Sequence, residues 1–233
     1  MLIDPQAAED FKYAQRLHRF VKDLKKQTLD FFGFRRRAMS LMRGDHELMA
    51  DPNVRLVPEY YYCKYLLGKL VAGRRIVEIG VKAGLSAWTF MTAHRPESYV
   101  GYDIYAETTW ALPVAKGVLT PMAERVTINR RDSQGLKSVE EADFYHVDGL
   151  HTREGTCHDL CVCYDSAPDG AAILVDDVMC GPDVIAGVHD FARRKDCYPI
   201  FFKDLRGEAL FFKNVPHPSR FFMLQSTFPQ EFI

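Results

Sequence analysis

The chain has 233 residues, enough for one sizeable α/β domain and too few for two, and its 47% hydrophobic and 26% charged residues are ordinary for a soluble globular protein. A formal net charge of −1 gives no electrostatic support to binding a nucleic acid or an anionic membrane. No apolar run approaches the roughly 20 residues that span a bilayer, and we expect no signal peptide. The six cysteines are scattered, which suggests reduced thiols, so we predict a cytoplasmic protein.

The N-terminal region, residues 1–72, is predicted to be a helical extension of one compact domain at residues 73–233. Apolar side chains recur three and four positions apart between Phe11 and Leu24, the spacing of an amphipathic helix. The segment Phe31–Arg37 interrupts that pattern. Its three arginines could bind a substrate phosphate or carboxylate, but a solvated helix face explains them better.

A second N-terminal helix is predicted from Glu59 to Leu70, after a loop marked by prolines. Its tyrosines at 60–62, together with Trp110, could line a pocket for a sugar or an aromatic ring. Packing of this helix onto the rest of the domain is the better explanation for them. Residues 215–233 are predicted to be a tail packed by its phenylalanines.

From residue 75 onward, short apolar runs rich in β-branched and aromatic residues alternate with helical segments, the pattern of βα units. Seven strands are predicted, at residues 76–79, 99–104, 126–129, 142–149, 171–177, 198–202 and 208–212. A turn at Arg206-Gly207 should make the last two antiparallel. The sequence therefore predicts an α/β fold with a doubly wound, Rossmann-like, seven-stranded and mostly parallel sheet, a C-terminal antiparallel hairpin and an N-terminal helical extension.

The first predicted strand leads into the segment Glu78-Ile79-Gly80-x-x-x-Gly84, which a helix follows. A strand, a glycine loop and a helix in this order place backbone N–H groups around a ligand at the carboxyl end of the strand. The spacing differs from the Gly-x-Gly-x-x-Gly turn that binds a pyrophosphate. We expect Glu78 to lie in the loop, where its carboxylate would repel a phosphate and favour a cationic ligand. Asp103, at the end of the second strand, indicates a nucleoside-type ligand because an acid there accepts hydrogen bonds from ribose hydroxyls.

Acidic or polar residues also follow the other predicted parallel strands. Asp132 and Ser133 follow the third strand, Asp148 and His151 the fourth, and Asp176 and Asp177 the fifth. One such acid could serve solubility alone. Because the carboxyl ends of parallel strands share one edge of a sheet, acids at every strand end favour a common ligand site.

These motifs resemble those of class I S-adenosylmethionine-dependent methyltransferases, and the resemblance covers roughly residues 70–213. The segments Val147-Asp148-Gly149-Leu150-His151 and Val175-Asp176-Asp177 resemble more narrowly the small-molecule O-methyltransferases that use a divalent metal. That branch includes sugar and macrolide O-methyltransferases of natural-product pathways. Catechol-type relatives usually have Asp-Asn after the fifth strand, so the Asp-Asp pair here favours a sugar hydroxyl as the acceptor.

The resemblance implies that S-adenosylmethionine is the cofactor, and it assigns the residues that bind it. Gly80 and Gly84 would let the backbone approach the cofactor, and Asp103 would hold the ribose. The complete predicted cofactor-binding set is Glu78, Gly80, Gly84, Ser86, Asp103, Asp132 and Ser133, with the last two near the adenine.

The resemblance also implies a metal and a general base. Asp148, Asp176 and Asp177 would hold Mg²⁺ or Mn²⁺, which prefer hard oxygen ligands. Such a metal lowers the pKa of a bound hydroxyl, so that its oxygen can attack the methyl group in line. His151 would accept the proton, with Asp148 and His151 as the catalytic pair. The simpler alternative for His151 is a helix-entry residue bonded to a backbone carbonyl.

Several alternatives stay open at this level. The chain could be a metal-independent N-methyltransferase of a small molecule, or a non-catalytic domain that has kept the cofactor fold. A nicotinamide enzyme is disfavoured by the glycine spacing. Zinc binding by the segment Cys157-His158-x-x-Cys161-x-Cys163 fits less well than a half-buried helix with small thiols. We expect a small-molecule acceptor and neither nucleic acid nor membrane as partner, and the oligomeric state, including a homo-oligomer, is left open.

Overall fold

The structure is a computed structural model that describes residues 31–44, 58–71, 74–106, 109–202 and 206–214. The predicted amphipathic helix at Phe11–Leu24 and the predicted C-terminal tail lie outside the described residues. The division into an extension at residues 1–72 and a domain at residues 73–233 stays a prediction.

The described residues form a seven-stranded sheet in the order β3-β2-β1-β4-β5-β7-β6. The first five strands are parallel, and β7 runs antiparallel to both β5 and β6. The strands are β1 (Arg75–Ile79), β2 (Ser98–Asp103), β3 (Val126–Arg130), β4 (Phe144–Val147), β5 (Ala172–Val175), β6 (Ile200–Phe202) and β7 (Glu208–Phe212). The predicted doubly wound, mostly parallel sheet with a C-terminal antiparallel hairpin is confirmed.

The described helices are α1 (Phe31–Gly44), α2 (Pro58–Val71), α3 (Leu85–His94), α4 (Ala111–Leu119), α5 (Arg153–Ser166) and α6 (Pro182–Lys195). Thr152 caps α5, because its hydroxyl accepts a hydrogen bond from the amide of Gly155 at 3.1 Å. The segment Phe31–Arg37, which interrupts the amphipathic pattern of the sequence, is helical and opens α1. Phe34 is fully buried there against Tyr62 and Tyr65, which stabilises the helix.

Helices cover both faces of the sheet, and alternate strand residues point to opposite faces. On one face Ile76 and Phe144 pack with residues of α1, α2 and α3. On the other face Val77 and Tyr145 pack with residues of α5 and α6. Because β1 and β4 are covered on both faces, any ligand site on them has to lie at their ends.

The N-terminal tyrosines and arginines have different surroundings. Tyr62 and Tyr65 are buried in the core, whereas Tyr61 is only partly buried. Trp110 packs partly buried against the core. Arg35 and the residue after it, Arg36, are exposed on α1, the surroundings expected for a solvated helix face. No helix in the described ranges is both long and apolar enough to cross a membrane.

Candidate active site

The carboxyl ends of four neighbouring parallel strands, β2, β1, β4 and β5, form one edge of the sheet. The chain leaving each strand stays bonded to its neighbour: the amide of Gly80 donates to the Tyr102 carbonyl at 2.8 Å. The amide of Asp148 donates to the Ile79 carbonyl at 2.8 Å. This ladder fixes the loops at the strand ends relative to one another, so that side chains from different loops can form one site.

The two glycines after β1 are required by the protein's own packing. Gly80 has a φ of 90°, and a Cβ there would lie 1.8 Å from the carbonyl oxygen of Asp148. Gly84 has a φ of 76°, and its Cβ would meet Ala115 of α4 at 3.2 Å. Both positions therefore need glycine before any ligand is considered. Their predicted contact with a cofactor stays a prediction.

Glu78 lies in β1, not in the loop, which corrects the predicted placement of its carboxylate. The side chain is fully buried and accepts hydrogen bonds from the hydroxyls of Ser86 and Tyr99. Its Oε1 also lies 2.7 Å from Nδ1 of His146 on β4. The Glu78 carboxylate thus bonds to side chains of the protein itself, and the predicted contacts of Glu78 and Ser86 with a cofactor stay predictions.

Asp103 is fixed at the end of β2 by two backbone donors. Its Oδ2 accepts a hydrogen bond from the amide of Lys82 at 2.8 Å, and its Oδ1 accepts one from the amide of Tyr105 at 2.7 Å. Lys82 and Tyr105 both have left-handed backbones, with φ of 47° and 49°. The carboxylate is partly exposed, and each carboxylate oxygen can accept a further hydrogen bond. Asp103 is thus held rigidly where a ribose could donate to it.

The short 3₁₀ turn at Ser133–Gly135 follows β3 and reaches the same edge. Asp132 caps this turn by accepting a hydrogen bond from the amide of Gln134 at 2.9 Å. The Gln134 side chain donates from Nε2 to the buried Asp159 of α5 at 2.9 Å. The predicted adenine residues Asp132 and Ser133 therefore lie in a turn that is tied to α5.

Asp148, His151 and Asp177 bring their side chains together at the ends of β4 and β5. Their potential ligand atoms all lie within 4.8 Å of one another. Nε2 of His151 is 3.2 Å from Oδ1 of Asp148 and 3.6 Å from Oδ2 of Asp177. Within the described ranges, this is the one group of three or more acidic, histidine or cysteine side chains with such spacing.

The electrostatics of this cluster favour a cation. Desolvation and the neighbouring charge of Asp176 raise the pKa of Asp148 to about 6. Burial and Asp176 also raise the pKa of Asp177. The hydrogen bond with Asp148 raises the pKa of His151, because the carboxylate stabilises the protonated ring. Carboxylates that repel one another in this way are a suitable environment for a positive charge.

Asp177 has a left-handed backbone, with a φ of 58°, directly after β5. Aspartate tolerates this conformation better than most residues, because its short side chain can bond locally. The amide of Asp177 donates to Oδ1 of Asp176 at 2.7 Å, and Oδ1 of Asp177 lies 2.9 Å from Nε of Arg206. Because of this turn, the carboxylates of Asp176 and Asp177 bond to different partners.

Asp176 lies outside the cluster, which differs from its predicted role as a metal ligand. Its side chain is buried, and its Oδ2 lies 2.8 Å from Nζ of Lys64 on α2. Lys64 is also 2.5 Å from Glu208 of β7, and both are buried. The physical reason for the difference is that Asp176 is already neutralised by a buried ammonium group. His151 takes its place in the group that the structure assembles.

Sequence reasoning missed Lys64, Glu208 and Arg206. A signal was present, because Lys64 stands within the apolar run 61–67 of a helix and Glu208 opens an otherwise apolar strand. Long charged side chains are almost never fully buried unless they are paired. That rule identifies Lys64 and Glu208 as members of a buried pair without naming the partner.

The remaining metal-like motif of the sequence lies elsewhere. Cys157 and Cys163 are buried in α5 within the core, and Cys161 is partly buried. These thiols therefore pack along α5, as expected for a half-buried helix with small thiols.

Comparisons with known proteins agree with this geometry. Residues 77–178 match a family model described as a methyltransferase domain, whereas no curated protein matches the sequence. The O-methyltransferase TomG from Streptomyces achromogenes, which is involved in tomaymycin synthesis and was solved with SAM, has a similar fold. It is 19% identical, with a TM-score of 0.57 over 76% of this chain and 87% of that chain.

Two further solved structures are similar to this chain. The O-methyltransferase from Bacillus cereus in complex with SAH is 14% identical, with a TM-score of 0.58 over 76% of this chain and 90% of that chain. The SAH-bound methyltransferase PaMTH1 from Podospora anserina is 16% identical, with a TM-score of 0.56 over 76% of this chain and 94% of that chain. The chain thus has the fold of these methyltransferases, and its residues 77–178 are similar to the methyltransferase domain model, in agreement with the fold predicted from the sequence.

Proposed function

We propose that this protein transfers a methyl group from S-adenosylmethionine to a hydroxyl of a small molecule, with the assistance of a divalent metal. The observation that carries the proposal is the cluster of Asp148, His151 and Asp177 on the same sheet edge as Asp103. Two of the similar structures are O-methyltransferases bound to SAM or SAH, which supports the reaction type and the cofactor.

The residues at the ends of β2 and β3 suit the nucleoside part of the cofactor. Asp103 offers rigidly held carboxylate oxygens to the ribose hydroxyls, and the turn at Ser133–Gly135 offers polar groups to the adenine. The positive sulfonium would also gain from the acids at the ends of β4 and β5. An anionic pyrophosphate in their place would be repelled by the same charges.

Asp148 and Asp177 are the proposed ligands of Mg²⁺ or Mn²⁺. Two carboxylates completed by water or substrate oxygens are a usual ligand set for Mg²⁺. When bound, the cofactor supplies an electrophilic methyl group and the metal lowers the pKa of the acceptor hydroxyl. The raised pKa values of both carboxyls, caused by burial and by their acidic neighbours, fit this assignment because a bound cation would relieve the repulsion.

His151 is the proposed general base. Its ring is exposed enough to meet an acceptor, with 46% of the side chain accessible, and Asp148 orients it from 3.2 Å. The neutral ring would accept the hydroxyl proton while the acceptor oxygen bonds to the methyl carbon and the sulfur leaves with its electron pair. Asp148 would stabilise the imidazolium that this transfer produces.

The Asp176-Asp177 pair supports an acceptor hydroxyl of the sugar type, in a natural-product pathway, over a catechol. The partly buried Tyr61 lies close enough to Asp148 for their charges to interact, and it is a candidate for contacting the acceptor. A cytoplasmic location is supported by the free thiols of Cys157, Cys161, Cys163, Cys180 and Cys197.

A metal-independent methyltransferase is the second candidate, because two cations already face the acids. Lys64 pairs with Asp176, and Arg206 pairs with Asp177. Those side chains could neutralise the pocket without any metal. An amine acceptor would then need little more than deprotonation before attack.

The decisive experiment measures SAH formation after dialysis against EDTA, with a panel of hydroxyl and amine acceptors. We expect turnover of a hydroxyl acceptor that disappears with EDTA and returns with Mg²⁺ or Mn²⁺. Full turnover in EDTA would overturn the proposed requirement for a divalent metal and support the second candidate, a metal-independent methyltransferase. Calorimetry with SAH and with NAD on the same sample tests the cofactor, and tight binding of NAD alone would overturn the methyltransferase assignment.

A further inference from the structure

Asp159 is a fully buried carboxylate that the proposed mechanism does not use. It lies on α5, beneath the turn at Ser133–Gly135 and beside the loop that follows β4. Its Oδ1 accepts a hydrogen bond from Nε2 of Gln134 at 2.9 Å. Its Oδ2 has no hydrogen-bond partner among the described residues.

The position of Asp159 is costly, which argues for a role. Burial raises the pKa of its carboxyl to about 6, and a buried carboxylate oxygen without a partner loses its hydration. The loop after β4 leaves room for the Asp159 side chain by having glycine at position 149. A Cβ at Gly149 would lie 2.5 Å from Oδ2 of Asp159. Gly149 directly follows Asp148, so Asp159 contacts both the turn after β3 and the loop of the acidic cluster.

The contact with Asp159 determines how the Gln134 amide is oriented. An ionised carboxylate only accepts hydrogen bonds, so the NH₂ group of Gln134 has to face it. Nε2 of Gln134 also donates to the Ser133 hydroxyl at 3.2 Å. The donors of this amide are thereby used, and its carbonyl oxygen is left as an acceptor. His158, next to Asp159 on α5, further holds the turn because its Nε2 lies 3.1 Å from the Ser133 carbonyl oxygen.

We propose that Asp159 is a positioning residue for the cofactor: it orients Gln134 so that the amide oxygen accepts a hydrogen bond from the 6-amino group of the adenine. The inference rests on the proposed function, since it places the adenine at this turn. A purine with an oxygen at position 6 presents an acceptor to that same amide oxygen. The site then rejects it, because two acceptors face one another.

Calorimetry on the full-length protein tests this with SAH and with S-inosylhomocysteine, which carries the 6-oxygen. The unaltered protein should bind SAH at least about tenfold more tightly than the inosine analogue. Asp159→Ala should weaken SAH binding about tenfold and remove the preference. Asp159→Asn should retain both the SAH affinity and the preference for SAH, because the Asn oxygen still accepts a hydrogen bond from Gln134. Asp165→Ala, on the exposed side of the same helix, is the control that should change neither.

A second pair of variants tests the contact with a less disruptive change on the turn. In Gln134→Glu the new carboxylate faces that of Asp159, which should weaken SAH binding. Adding Asp159→Asn should restore SAH binding, because the Asn amide supplies a hydrogen-bond donor to the new carboxylate. Unchanged SAH affinity and preference in Asp159→Ala would overturn the inference, as would failure of Asp159→Asn to rescue Gln134→Glu. If the unaltered protein binds no SAH, the proposed function fails, which is a distinct result.

Discussion

Nζ of Lys64 lies 2.8 Å from Oδ2 of Asp176, and each of these side chains is only 1% exposed. The same ammonium lies 2.5 Å from Oε1 of Glu208, which is fully buried. His146 extends this arrangement, since its Nε2 is 4.0 Å from Asp176 and its Nδ1 is 2.7 Å from Glu78. Burial opposes protonation of His146, but the hydrogen bond with Glu78 raises the pKa of the ring overall. Buried polar side chains thus connect β1, β4, β7 and α2 with Asp176, the residue that follows β5.

The first prediction concerns stability. Lys64→Met should lower the free energy of unfolding by about 3–5 kcal/mol, because it leaves buried carboxylates without their counter-ion. Urea denaturation measures this change. Lys195→Met is the matched control, since Lys195 pairs with the exposed Asp165 and its loss should cost no more than about 1 kcal/mol. Equal urea midpoints for Lys64→Met and the unaltered protein would contradict the assignment of Lys64 as a buried counter-ion.

The second prediction separates the two adjacent acids after β5. Asp177→Asn should weaken Mn²⁺ binding more than about tenfold, because it removes a carboxylate of the open cluster. Asp176→Asn should leave the Mn²⁺ affinity within about tenfold, because Lys64 already neutralises that carboxylate. Calorimetry with Mn²⁺ and no cofactor measures both. A larger loss in Asp176→Asn than in Asp177→Asn would show that the metal displaces Lys64.

The third prediction concerns the base. In metal-free protein, the ring resonances of His151 should titrate above the ordinary pKa of 6.5, because the hydrogen bond with Asp148 stabilises the protonated ring. Asp148→Asn should lower this pKa towards the ordinary value. NMR titration of the His151 ring measures the pKa in both proteins. A pKa at or below 6.5 in the unaltered protein would contradict the contact with Asp148.

The fourth prediction concerns the protonation state of that base during turnover. Only the neutral ring accepts a proton, so methyl transfer should rise with pH as the His151 ring loses its proton and be lost where the ring is protonated. His151→Gln should lower kcat by about 10²–10⁴ and leave the SAH affinity unchanged. His189→Gln, a histidine of α6 that contacts Phe201, is the control and should change neither. If His151→Gln kept the kcat of the unaltered protein and its rate did not depend on pH, His151 would be excluded as the general base.

Most of the fold could be predicted because its signals are local. Runs such as Ile76–Ile79, apolar except for Glu78, and Ala172–Val175 are short, and each is followed by turn or cap residues. The acids at the strand ends then reach one edge because the strands are parallel. The helix at Phe31–Gly44 was harder to predict from the sequence, because packing of Phe34 against two tyrosines of α2 outweighs the local interruption of the amphipathic pattern.

The direction in which Glu78 points could also have been predicted. Strand side chains alternate, so Glu78 and His146 point to the same face as the core residues Ile76 and Phe144, two positions earlier. That face is covered by α2 and α3, which explains why Glu78 is buried. The partner of Asp176 was not predictable in this way, because Lys64 is far away in sequence and only packing of α2 brings it there.

The fifth prediction concerns the glycine after β1. Gly80→Ala should lower the free energy of unfolding by about 1–3 kcal/mol or more, because alanine tolerates the φ of 90° poorly and its Cβ would lie 1.8 Å from the Asp148 carbonyl oxygen. The clash also pushes the loop that carries Asp148, so Mn²⁺ affinity should fall with stability. Gly117→Ala is the matched control: it lies within α4 with nothing within 4 Å of its Cβ, and it should stabilise the protein slightly. Urea denaturation and Mn²⁺ calorimetry measure both effects, and a Gly80→Ala variant as stable as Gly117→Ala would contradict the contact between the two loops.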